Sequence, residues 1–152
     1  MGIVTPNTKE VTEWKGLHLF HIGMSNCSQR VRMMLEEKQL PWTSHLVNIP
    51  KGENLSDWYQ GINPNGVVPT LIHDGKVIIE STDILEYLDQ QFTTRDSIPS
   101  LMQGKGIESE RLDTLIALVN ATQIHIKTLS FEYLFKPMAK KNSSQLEALE
   151  EK

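Results

Sequence analysis

The chain has 152 residues, a formal net charge of −4 and a single cysteine, with ordinary proportions of charged and apolar side chains. That length suits one domain and part of a second, and the acidic balance excludes the broad basic face that nucleic acid demands. One cysteine permits neither an intrachain disulfide nor a cysteine-rich zinc site; no apolar run approaches the roughly 20 residues of a membrane span, and the polar first 16 residues have the character of neither a signal nor a transit peptide, so a cytoplasmic protein is expected.

Residues 1–16 read as a loose leader. Leu17 to Ile22 alternates apolar and polar side chains, the period of a strand, and Gly23 ends it. Ser25-Asn26-Cys27-Ser28 opens a helix running to about Lys38, with Ser25 as N-cap and Val31, Met34 and Leu35 on one buried stripe. Gln39-Leu40-Pro41 closes that helix and Trp42 to Ile49 is a second strand, completing a β-α-β unit with parallel pairing. Pro50 to Asn54 is a loop, Ser56 to Gln60 a short helix, and Asn63-Pro64-Asn65-Gly66 a turn. Thr70 to His73 and Lys76 to Ile79 are short strands joined at Asp74-Gly75, a strong hairpin signal, and a helix with Ile84, Leu85 and Leu88 on one face follows. The stretch 93–106, rich in Thr, Ser, Gly and Pro, is a linker, and the spacing of Leu112, Leu115, Ile116 and Val119 predicts a long helix over 107–135. Pro137 and Lys140-Lys141 interrupt this pattern, and Ser144 is placed to cap a last short helix. The order β-α-β, connector, β-β-α predicts an α/β fold, a small mixed sheet with helices on its faces.

Three segments carry a family resemblance. Ser25-Asn26-Cys27-Ser28-Gln29-Arg30-Val31-Arg32 resembles the Ser-Ser-Cys-x-x-Arg-Val-Arg signature of zeta-like glutathione transferases. Asn63 to Leu71 resembles that superfamily's NPxGxVPxL element, and Ile79 to Leu88 its ES-x-x-I-x-x-YL element. The three stand in the family's order with its gaps and cover about half of the chain. The hairpin and the helix after it also resemble ganglioside-induced differentiation proteins, a branch of the same superfamily, and the class is left open. The resemblance implies a thioredoxin-like glutathione-binding domain over 17–92. It also implies an all-helical C-terminal domain of which 107–152 is the first part, glutathione as cosubstrate, and a homodimer.

Glutathione chemistry needs the sulfur as thiolate, whereas a free thiol near pKa 8.5 is mostly protonated at neutral pH. A helix N-terminus and a hydrogen-bond donor both lower that pKa. Ser25 stands where strand meets helix, and the resemblance makes it the catalytic hydroxyl, a role compatible with capping. The resemblance puts Asn26 and Cys27 beside the ligand. It also makes Pro69 a cis-proline, with Val68 presenting its backbone to the cysteinyl unit as an added strand does. Glu80 and Ser81 match the pair that takes the γ-glutamyl end, Glu80 meeting the ammonium and Ser81 the carboxylate. Ser81 has Ile84 rather than Glu or Gln three residues on, so it lacks the second half of a capping box. Asn54 aligns with a residue that meets the glycyl carboxylate. Arg30 and Arg32 read as structural or surface charges, and the five histidines show no metal-ligand spacing.

The resemblance, with these residues, implies a glutathione transferase acting on a small electrophile. A non-catalytic glutathione-binding or protein-interaction module, a maleylacetoacetate-type isomerase, and a monothiol oxidoreductase using Cys27 are the alternatives.

Overall fold

The computed structural model describes residues 2–93, 100–102, 107–130 and 132–133. The chain divides into two compact units, 1–102 and 103–152. The first is built on five strands: β1 (Ile3–Val4), β2 (Leu17–His21), β3 (Trp42–Leu46), β4 (Thr70–His73) and β5 (Lys76–Ile79). Their spatial order is β1-β5-β4-β2-β3. Strands β2 and β3 pair in parallel, as the α-helical crossover between them requires, and every other pairing is antiparallel. The helices are α1 (Asn26–Glu37), α2 (Asp57–Gln60) and α3 (Ser81–Phe92).

Alternation along the strands sends side chains to two separate cores. Leu17, Leu19, Leu71 and Ile78 meet Val31, Met34 and Leu35 of α1 and Ile84, Leu85 and Leu88 of α3. On the opposite face Phe20, Ile72, Val77 and Ile79 meet Val11, Val47, Tyr59 and Ile62. Strand β3 stops at Leu46, three residues short of the expected Ile49, because Ile49–Lys51 winds into a 3-10 turn. Pro50 has no N–H for a ladder, and the Asn48 side chain accepts from the Lys51 N–H instead. At Asp74-Gly75 both residues have positive φ, 48° and 79°, as a two-residue hairpin turn needs.

The expectation of a loose leader is corrected. Ile3 and Val4 pair with Ile78 and Val77 as an edge strand. The Asn7 and Thr8 N–H groups donate to the Gly61 carbonyl, and Val11 is fully buried. Trp14 stacks on His45 at 5.1 Å and lies over His18 at 4.7 Å. A Cβ at Gly75 would overlap the Thr12 backbone, so the hairpin turn must be glycine for this segment to lie there. A two-residue strand and one 3-10 turn leave no hydrophobic period to read, which is why the sequence pattern does not reveal them.

The end of the unit is held by a buried ion pair. Lys38 Nζ lies 2.9 Å from Asp89 Oδ1, and the two side chains are 1% and 2% exposed. Asp89 also accepts from the Ser100 hydroxyl and from the N–H groups of Leu101 and Met102. Burial alone would raise the Asp89 carboxyl, but the Ser100 hydroxyl, the Leu101 N–H and Lys38 outweigh it and hold it below the ordinary carboxylate value. Residues 100–102, expected within a linker, are thus anchored to α1 and α3, with Met102 packed on the core.

The second unit contributes α4 (Ile107–Ser130). Leu115 and Val119 of its expected stripe are exposed, while Leu112 and Ile116 are half-buried. The expected features at Pro137, Lys140-Lys141 and Ser144 lie outside the described residues. Among the described residues no helix is long and apolar enough to cross a membrane.

Removing one partner of the buried pair leaves the other charge sealed from water without its counter-charge. Asp89→Asn and Lys38→Met are each expected to lower unfolding free energy by about 3 kcal/mol or more in urea titrations. Two imidazoles set a second, pH-linked term. Burial, then the Arg32 and His45 charges, lowers the His21 pKa; burial, then His18, lowers that of His45. Below the unfolded value of 6.5 the unfolded chain therefore binds more protons. The stability these groups provide is complete above that pH and is lost as pH falls through the lowered folded values. Urea midpoints should fall between pH 7.5 and pH 5, and the slope should flatten in His21→Gln; an unchanged slope would remove His21 as its source.

Candidate functional site

Strand register brings the sequence-flagged residues to one end of the sheet. Phe20 of β2 pairs with Thr70 of β4, and Thr70 pairs with Ile79 of β5, so these three form one row across the sheet. Just beyond that row the chain leaves β2 toward Ser25, enters β4 from Val68-Pro69, and leaves β5 into Glu80-Ser81. Strand β3, parallel to β2, ends at the same edge and leads into the turn that carries Asn54.

Ser25 is the N-cap of α1, with φ −84° and ψ 115°. Its Oγ accepts from the Ser28 N–H at 3.1 Å. That bond uses a lone pair and leaves the hydroxyl proton available to an outside acceptor, so capping and donating coexist on one side chain. Asn26, half-buried, accepts from the Cys27 N–H through Oδ1 at 2.9 Å. Cys27 is buried one step into the helix. Behind the loop, Arg32 reaches the Gly23 carbonyl at 3.4 Å, bracing the turn that delivers Ser25. His21, at the end of β2, is buried and bonded through Nε2 to the Ser44 hydroxyl at 2.8 Å.

The Val68–Pro69 bond is cis, as the resemblance implies. A closed hydrogen-bond network fixes the approach to it. The Val67 carbonyl accepts from Tyr59 Oη at 2.8 Å and from Asn63 Nδ2 at 2.9 Å. The second amide hydrogen of Asn63 goes to Thr70 Oγ1 at 2.8 Å, and the Thr70 hydroxyl lies 3.0 Å from Tyr59 Oη. Tyr59, Asn63 and Thr70 are all essentially inaccessible to solvent. Burial raises the Tyr59 pKa to about 12, offset in part by the Thr70 bond, so the phenol keeps its proton and donates. Asn54 Nδ2 donates to the Gly66 carbonyl at 2.8 Å, tying the preceding turn to the same segment. Among the described residues, Asn54 Oδ1 is buried without a hydrogen-bond partner.

Glu80 precedes α3 with φ 67° and ψ 120°, a conformation unusual for a residue with a Cβ. Its carbonyl accepts the first helical bond, from Ile84, at 2.9 Å, while its exposed side chain makes no cap bond. Strained backbone of this kind costs about 1–3 kcal/mol and collects at functional sites. Ser81 is nearly buried as the first residue of α3, and Arg30 Nη1 approaches its Oγ at 3.5 Å. The two arginines read as structural or surface charges thus both touch this end of the sheet. Their signal was the i, i+2 spacing, which straddles α1 and lets one serve the loop before it and the other the neighbouring helix. The Tyr59-Asn63-Thr70 network has no such signal, because it spans a helix, a turn and a strand.

Residues 24–91 match the family described as Glutathione S-transferase, N-terminal domain. A zeta-class glutathione S-transferase of Euphorbia esula is 31% identical over 115 residues, 76% of this chain and 51% of its own length. The maleylacetoacetate isomerase maiA of Aspergillus fumigatus is 45% identical over 77 residues, 47% of this chain and 33% of its own. The crystal structure of the beta-etherase LigF from Sphingobium sp. strain SYK-6 superposes with a TM-score of 0.74 at 33% identity, covering 83% of this chain and 51% of that one. The chain spans at most about half the length of these relatives. Motif order, sheet topology and these likenesses agree: the chain belongs to the glutathione S-transferase superfamily and carries its thioredoxin-like N-terminal domain.

Proposed function

We propose that this chain binds glutathione at the sheet end just beyond the row Phe20–Thr70–Ile79 and promotes attack of its sulfur on a small electrophilic carbon. The observation that carries the reading is the convergence of Ser25, Val68 and Glu80-Ser81 on one sheet end. The peptide lies extended along the segment before β4, with Val68 pairing to its cysteinyl backbone. Its γ-glutamyl end meets Glu80 and Ser81, and Asn54 stands toward the glycyl end. The Ser25 hydroxyl, whose oxygen accepts from the Ser28 N–H without using its own proton, donates to the sulfur and favours thiolate over thiol, aided by the positive end of α1. Asn26 and Cys27 line the sulfur's surroundings. The thiolate forms a carbon–sulfur bond, and the leaving group or the electrophile's π system takes the electron pair.

A second reading is isomerisation, in which the same thiolate adds to a cis double bond and departs after rotation. The 45% identity to a maleylacetoacetate isomerase favours it. The two readings share every binding residue and differ in whether sulfur leaves. Pairing into a homodimer is part of either proposal.

Calorimetric titration with glutathione, followed by assays on an aromatic halide and on a cis-dienoate, tests the proposal. No binding by a folded chain would overturn it. Binding with halide conjugation supports transfer, and binding with cis–trans conversion alone supports isomerisation. Ser25→Ala is expected to lower kcat roughly ten- to a hundredfold, the worth of a hydrogen bond to a charged group, with little change in KM for glutathione. Ser25→Thr, which retains both cap and hydroxyl, should recover most of the rate. Equal rates in Ser25→Ala and parent would take Ser25 out of the chemistry.

A further inference from the structure

We propose that Thr8 is a positioning residue of the site: by clamping α2 it sets the Val68 backbone to which the cysteinyl unit of glutathione pairs. The inference rests on the glutathione reading above and adds to it a segment, residues 7–8, that precedes all three motifs in the chain. Helix α2 has four residues, too few to hold a helical turn unaided. Its start is capped by Ser56, whose Oγ accepts from the Tyr59 N–H. Its end has no further turn to supply donors. The Ile62 and Asn63 N–H groups both go to the Tyr59 carbonyl, so neither serves the Trp58 carbonyl.

Residues 7–8 supply what is lacking. Thr8 Oγ1 donates to the Trp58 carbonyl at 2.7 Å, and the Asn7 and Thr8 N–H groups donate to the Gly61 carbonyl at 2.6 and 3.1 Å. A Cβ at Gly61 would overlap Thr8 Oγ1, so the close approach depends on glycine there. The clamp therefore grips the chain on either side of Tyr59 and two residues before Asn63. Those two side chains are the donors to the Val67 carbonyl. The Val67 carbonyl and the Val68 N–H lie in one planar peptide, so whatever turns the carbonyl turns the N–H that Val68 presents. Thr8 is half-buried, and water replaces part of its bond when the hydroxyl is lost, so the effect is severalfold rather than complete.

The test titrates glutathione calorimetrically into the parent, Thr8→Val, Thr8→Ser, Gly61→Ala and the double variant Thr8→Val with Gly61→Ala. Amide hydrogen exchange is followed by mass spectrometry on each protein without ligand. Thr8→Val, which keeps the shape and removes the hydroxyl, is expected to weaken glutathione about three- to tenfold. It should also speed exchange over residues 57–68 while α1 exchanges at the parent's rate, and Thr8→Ser should restore both. Gly61→Ala displaces the same hydroxyl, so the double variant should bind no more weakly than Gly61→Ala alone. Unchanged affinity in Thr8→Val overturns the inference, and so does failure of Thr8→Ser to restore it. Faster exchange spread equally over 57–68 and α1 marks a loss of overall stability and overturns it too, as do additive effects of the two substitutions. A folded parent that does not bind glutathione overturns the glutathione reading and the inference with it, whereas equal binding by parent and Thr8→Val removes the inference alone.

Discussion

The Val67 carbonyl is the point on which the candidate-site end of the sheet depends. A carbonyl oxygen buried without donors would be strongly unfavourable, and here the Tyr59 phenol and the Asn63 amide both donate to it. Thr70 closes the circuit: its hydroxyl accepts from the Asn63 amide and lies within hydrogen-bond reach of both the Tyr59 phenol and the Val67 carbonyl, so every polar group of the network is satisfied. Because Thr70 is also the first residue of β4, the same contacts that hold the loop hold its register against β2 and β5. Position of Val68 and alignment of the sheet are therefore one constraint, expressed on either side of Pro69.

Around that fixed edge the other contributions are helix starts and braces. Ser25 and Ser81 begin α1 and α3, and Arg32 and Arg30 steady the backbone or side chain at each. The division suits a site in which the ligand brings the nucleophile. On the proposed reading the protein's share would be to orient an extended peptide and to favour one protonation state, tasks that short, rigid elements suit.

Much of this was legible in residue order. The β-α-β unit, the Asp74-Gly75 hairpin and the helix after it have periods and turn residues that act locally, and they lie where those signals put them. The three segments singled out by the resemblance meet at one end of the sheet. What escaped was non-local. Val11 is one apolar residue in a polar run, and its burial depends on a sheet face assembled by residues far along the chain. Lys38 and Asp89 look like any two surface charges until α1 and α3 are packed together. Arg30 belonged to a recognised motif, yet its contact with Ser81 spans 51 positions and has no counterpart in local spacing.

The Lys38–Asp89 pair also says where this module can be divided. The last helix of the thioredoxin-like unit ends at Phe92, which suggests a natural place to cut. Asp89, however, draws donors from Ser100, Leu101 and Met102. A fragment ending at the helix would strip those donors from a carboxylate sealed from water and uncover the apolar surface beneath Met102. The self-sufficient block is the one that runs through Met102, so grafting or swapping of C-terminal partners within this architecture has its seam ten residues beyond the last helix of the sheet layer.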